Sequence, residues 1–264
     1  MSAANETEIK KTEEVEKDGS EAGILDHLNE LRKRVTWAAG AVAFGTIIGF
    51  IFAERLLKYL LEPYSKYAPE GAQLLQTLRP TEGIETYFKV ALLFGFTLTM
   101  PLILYQFWLF IVPALSKKER RYVYIFIPVT LTLFLLGISF AWFILVPASV
   151  AFLSNFMPAV FQAEWTGEEY IGFLVTMLFW LGVSFEMPVI IYVIARVGFI
   201  SGSTLREQWR FALVGIAVLA AVVTPSVDPV TMLLTMAPLF VLYLLSIGMA
   251  YLGQRQFEKS MAID

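Results

Sequence analysis

Cysteine is absent from the 264 residues, so neither a disulfide nor a thiolate metal site is available. The one histidine, His27, is too few for an H-E-x-x-H zinc helix. Charged side chains make up only 16% of the chain and hydrophobic ones 57%, far from the balance of a soluble globular domain. The sequence also lacks a G-x-S-x-G elbow, paired intramembrane aspartates and a phosphate-binding loop. The expectation is a protein that is not an enzyme, holds no metal or cofactor and has no nucleic-acid partner. No internal repeat is evident, which counts against the inverted-repeat transporters.

What is present is apolar sequence in long blocks, the mark of a polytopic membrane protein. Six segments stand out: Val35–Ala53, Ile84–Val112, Tyr122–Val146, Tyr170–Ala195, Phe211–Val223 and Val230–Leu252. At 1.5 Å per residue the first four can cross a hydrocarbon core of about 30 Å. The fifth reaches only about 20 Å, so it spans a thinned region, begins before its apolar run or pairs with the sixth as a re-entrant segment. The fold class is therefore all-α, with six transmembrane helices. Pro101, Pro128, Pro188 and Pro238 fall inside them and predict kinks.

Basic residues orient the chain. With the N-terminus inside, the cytoplasmic segments hold Arg32, Lys33 and Arg34, then Lys117, Lys118, Arg120 and Arg121, then Arg196, Arg206 and Arg210, then Arg255 and Lys259. The opposite side has Arg55, Lys58, Lys66 and Arg79, and none in Pro147–Glu169 or Thr224–Pro229. Both termini are expected in the cytoplasm. Trp37, Trp108, Trp142 and Trp165 sit near segment ends, as an interfacial belt would place them. Ala41, Gly45, Gly49 and Ala53 give the first span one face of small residues where another helix can approach closely.

Residues 1–22 carry seven acids and three lysines and no apolar run, which predicts a disordered acidic cytoplasmic tail. The membrane domain is expected over 23–253, followed by a short cytoplasmic tail at 254–264.

Two basic stretches and one buried acid carry the functional signal. In "HLNELRKRV" (His27–Val35), Ile24, Leu28, Leu31 and Val35 make an apolar stripe on a helix that can lie in the interface. Glu30 is on another face, where an i,i+4 pair with Arg34 is its plainest role. In "PALSKKERRYVY" (Pro113–Tyr124), Ser116 and Glu119 form an S-x-x-E capping box that would start the third span. Glu186 lies deep in the fourth segment, where a charge is expensive. It is a structural group bonded near Pro188 or to Gln106, a proton-coupling site, or a docking point for another protein's helix. Lys89 can snorkel to the nearer surface, and Gln106 by default bonds a neighbouring helix.

"HLNELRKR", "ILYQFWLFIVPALSKKERR" (Ile103–Arg121) and "LGVSFEMPV" (Leu181–Val189) closely resemble, in order and spacing, motifs of the TatC family, the polytopic subunit of the twin-arginine translocase. The resemblance covers about residues 24–253. "VTPSVDPV" (Val223–Val230) departs from the family's Thr-Pro-Pro-Asp turn, and Thr231 stands near a position where some relatives have Gln. The resemblance implies recognition of signal peptides with consecutive arginines on folded export cargo, through Glu30 and Glu119 with Arg32, Lys118 and Arg120 as supports. It also implies single-span TatA- and TatB-type partners contacting Glu186, Gln106 and Thr231, further TatC copies, surrounding lipids, a place in the inner membrane and transport driven by the proton gradient. The physics agrees. Each guanidinium of an arginine pair matches one carboxylate through two parallel hydrogen bonds, a geometry that a lysine ammonium cannot make. The rival class is a proton-coupled small-molecule transporter built around Glu186.

Overall fold

The computed structural model describes the backbone of residues 3–67, 75–111, 123–157, 159–160, 165–224 and 228–261, with side chains described over 28–67, 75–111, 126–157, 159–160, 165–224 and 228–258. The helices are α1 (Ala3–Leu60), α2 (Glu62–Tyr67), α3 (Glu82–Ile111), α4 (Val123–Phe140), α5 (Val146–Ser154), α6 (Gly167–Ser184), α7 (Met187–Arg196), α8 (Gly202–Glu207), α9 (Trp209–Val223) and α10 (Pro229–Met261). A π-helical turn, Ala141–Leu145, joins α4 to α5. Among the described residues the one extended pairing is a bridge between Gln76 and Thr166.

Five stretches are long and apolar enough to cross a membrane: Leu28–Tyr67, Glu82–Ile111, Phe126–Ser154, Gly167–Arg196 and Pro229–Glu258. The sixth, α9, has 15 residues, and Phe211, Val214, Val218 and Val222 on it are exposed. The all-α, six-segment architecture expected from the apolar blocks is the one observed. The α1 helix runs back to Ala3, through the charged segment read above as a tail.

The first span runs past Ala53 to Leu60, and two further boundaries differ from expectation at prolines. The third span does not stop at Val146. Its π-turn widens the helix by one residue and Pro147 falls in the first turn of α5, where a missing N–H is harmless, so the helix continues to Ser154. The fourth span is not continuous. It breaks at Phe185–Glu186, because Pro188 lacks an N–H and its ring crowds the carbonyl four residues earlier. Pro101, Pro128 and Pro238 stay inside unbroken helices.

The first span packs on the second backbone to backbone. A Cβ on Gly45 would lie 2.6 Å from the Gly95 carbonyl oxygen, and one on Gly49 would meet the Ala91 carbonyl still more closely. Ala53 on the same face is fully buried. The expected small-residue face is thus the α1–α3 contact, and a larger side chain at Gly45 or Gly49 would push the helices apart. Leu145, Leu174, Met177, Leu181 and Leu239 form the inner core. A second cluster, Met100, Leu104, Trp108, Phe134, Val189, Tyr192 and Val193, sits towards the end of the bundle that carries Glu30.

These contacts define two rims. The near rim holds the Glu30 end of α1, the C-terminal end of α3, the start of α4, the end of α7 and α8. The far rim holds α2, the start of α3, the end of α5, the start of α6 and the start of α10.

Candidate functional site

On the near rim, Glu30 faces Arg34 one turn along α1. An Arg34 Nη2 donates to Glu30 Oε1 at 3.1 Å, the i,i+4 pair anticipated from the sequence. Nη1 of the same guanidinium donates to Gln106 Oε1 at 3.3 Å, so Gln106 ties α3 to α1. The third donor, Nε, is buried and has no acceptor. Glu30 retains 32% of its side-chain surface and Arg34 26%. Asn29, Arg32, Lys33, Thr36 and Trp37 line a shallow recess of about 270 Å³ beside them. The rim is therefore basic, with one acidic group already holding a guanidinium.

Close by, Trp108 stacks on Phe126, with ring centroids 4.7 Å apart and planes 11° from parallel. That stack holds the end of α3 against the start of α4. Trp108 is buried, yet its indole N–H has no partner. Lys118, Glu119 and Arg120, from the segment between those two helices, lie outside the described residues.

Glu186 occupies the break between α6 and α7. Its carbonyl accepts from the N–H groups of Val189 and Ile190, at 3.1 and 3.0 Å, and so starts α7. Its side chain is 4% exposed and Oε1 has no hydrogen-bond donor. Thr231 is fully buried in the first turn of α10, where Asp228 Oδ1 caps its backbone N–H at 2.6 Å and its own hydroxyl is unpartnered. It lies about 27 Å of helical rise before Met249, which packs with the Val189 cluster just past Glu186. The three residues expected to meet a partner helix thus sit at three levels. Gln106 is joined to Arg34 and Glu30, Glu186 is inside, and Thr231 is at the far rim.

With this layout established, the chain can be set beside known proteins. The family model described as Sec-independent protein translocase protein (TatC) matches residues 26–238. The chain belongs to the TatC family. It is 36% identical over 228 residues to a Sec-independent protein translocase protein TatC of Deinococcus radiodurans, covering 86% of this chain and 84% of that one. It is 38% identical over 239 residues to the chloroplastic protein TATC of Pisum sativum, covering 90% of this chain and 66% of the pea protein. A crystal structure of the twin-arginine translocase receptor TatC superposes with a TM-score of 0.78 at 34% identity, over 86% of this chain and 99% of that one. TatC membership accounts for the apolar helices and makes the chain a multi-pass membrane component of a protein translocase.

On the far rim, sequence reasoning singled out Lys89 and Thr231 but missed Glu82 and the network around it. Glu82, 1% exposed, accepts from the backbone N–H of Leu78 at 2.8 Å and Arg79 at 3.3 Å with one oxygen, and from Glu168 N–H at 2.9 Å with the other. One carboxylate thus ties the loop before α3 to the first turn of α6. Gln76 adds two backbone bonds, donating to Trp165 and accepting from Gly167. Arg79 pairs with Glu168 and Glu85, and Lys89 donates to Glu168 at 3.3 Å. Lys89 therefore snorkels to a specific partner and is not an idle cation. The Tyr170 hydroxyl donates to the Leu60 carbonyl at 2.9 Å and accepts the Tyr64 N–H at 3.1 Å, inside a Tyr64–Trp165–Tyr170 cluster. The available signal was "PTEGIE", an acid in the first helical turn after a proline, where exposed N–H groups and the helix dipole favour a carboxylate.

Proposed function

We propose that the chain receives twin-arginine signal peptides at its near rim, with Glu30 and Glu119 each taking one guanidinium and Arg32, Lys118 and Arg120 framing the site. The rim faces the cytoplasm, and both termini lie there, in a cell's inner membrane. The observation that carries this reading is the Glu30–Arg34 contact: the partly exposed carboxylate binds a guanidinium in the free chain. Arginine is preferred because its planar fork donates two parallel hydrogen bonds to one carboxylate. Folded cargo would cross through an assembly of TatA- and TatB-type subunits around several copies of this chain, driven by the proton gradient, since six helices cannot enclose a folded protein.

Glu186 is the docking point for a partner's single helix in this scheme. Its unpartnered oxygen supports the reading, because a partner's polar side chain would supply the donor that the bundle lacks.

Site-specific cross-linking tests both parts. Charge reversal, Glu30→Lys or Glu119→Lys, should abolish cross-linking to a signal peptide bearing two arginines while leaving membrane insertion intact. Normal cross-linking in either variant would remove that residue from the site. Glu186→Ala should reduce co-purification of single-span partners and spare signal binding; unchanged co-purification would end the docking role.

A further inference from the structure

We infer that Arg34 is an internal competitor, a guanidinium of the receptor's own chain that holds Glu30 until an arginine of the cargo displaces it. This rests on the reading of Glu30 as a recognition carboxylate, and it adds how that carboxylate is kept in reserve.

The geometry differs from an ordinary surface pair on a helix. Such a pair is confined to its own helix, and both groups are solvated. Arg34 instead reaches a second helix, where Gln106 of α3 accepts from Nη1 at 3.3 Å. Its Nε is sealed from solvent without an acceptor. Its hold on Glu30 is a single hydrogen bond of 3.1 Å, longer than the 2.7–2.9 Å typical of charge-assisted contacts and lacking the second parallel bond of a fork. The guanidinium is therefore placed by α3 and bound to the carboxylate by less than that carboxylate can accept.

An incoming arginine can make the full two-bond contact with Glu30 and so outcompete Arg34. The displaced guanidinium keeps its bond to Gln106 and stays at the rim, so the exchange is local and reversible. A ligand that must displace an internal competitor binds with an apparent affinity lowered by the fraction of sites that are free. That reduction is the same for every ligand that takes Glu30. Arg34 therefore sets how tightly cargo is held and leaves arginine preference to the geometry of the carboxylates.

Equilibrium binding of fluorescent signal peptides with an arginine pair or a lysine pair, measured on the full chain in nanodiscs, tests this. Arg34→Gln should tighten both peptides by the same factor, about fivefold, the upper end of what a partly exposed ion pair contributes. Gln106→Ala, which releases the competitor's other nitrogen to make a second bond to Glu30, should weaken both by about twofold. Lys33→Gln, which removes a neighbouring cation without touching Glu30, should change binding by less than either. Unchanged or weaker binding in Arg34→Gln, or tighter binding in Gln106→Ala, would overturn the competitor role. So would unequal tightening of the two peptides, which would place Arg34 in contact with bound cargo, or an equal effect from Lys33→Gln, which would reduce it to bulk charge. Glu30→Gln separates the two layers. If it binds the arginine pair normally, the recognition site itself is wrong; if it loses binding while Arg34→Gln fails to tighten, only the competitor falls.

Discussion

The two rims use the same residue types to opposite ends. On the far rim Glu82 is buried and accepts three backbone N–H bonds, Tyr170 makes two more, and Arg79, Lys89, Glu85 and Glu168 are joined in one ionic group. On the near rim Glu30 and Arg34 are partly exposed and share one bond, and the other partner of Arg34 is the Gln106 side chain. A carboxylate that takes backbone donors fixes a loop, since those donors cannot leave. A carboxylate that takes a side-chain donor can trade it for another. The far rim is built to stay closed and the near rim to exchange partners.

The contrast can be broken by substitution, and thermal unfolding in detergent ranks the outcomes. Glu82→Ala should be the most damaging, leaving three N–H groups at two helix starts without an acceptor, and should lower the melting temperature by about 10 °C. A wild-type melting curve for that variant would show that the far rim is not held by its acid. Tyr170→Phe removes both hydroxyl bonds and keeps the ring, for an expected loss of about 1–3 kcal/mol. Glu30→Gln should be the mildest, within about 0.5 kcal/mol of wild type, because a partly exposed i,i+4 pair contributes little. A loss at Glu30 as large as that at Tyr170 would make the near rim a structural joint and erase the distinction.

Much of the fold was legible because membrane helices announce themselves. Apolar blocks marked the six segments, and the four-residue spacing of Ala41, Gly45, Gly49 and Ala53 marked a face for close helix contact, whose partner, α3, only the fold shows. The Glu30–Arg34 pair followed from spacing alone. Gln106 was read correctly as a residue that bonds another helix, but the partner was not readable, because residues 72 apart are joined only by the fold. Pro188 marked the disturbance in the fourth span without showing that the helix would stop. Glu82 stayed hidden for a different reason: its place in a first helical turn points to backbone donors, but no side-chain pattern says that those of Glu168, 86 residues on, are among them. The continuation to Ser154 was missed because a proline after an apolar run usually ends a helix, whereas here it begins a new turn.

The brevity of α9 reaches beyond the chain itself. Its 15 residues rise about 22 Å, about 8 Å short of a hydrocarbon core of about 30 Å, and Phe211, Val214, Val218 and Val222 along it are exposed. A helix of that length crosses a bilayer only where the leaflets thin into a dimple to meet it, at a fraction of a kcal/mol for each ångström. A neighbouring helix with an equally short apolar stretch fits that dimple without deforming the membrane a second time, so the lipid itself draws such helices to this side of the bundle.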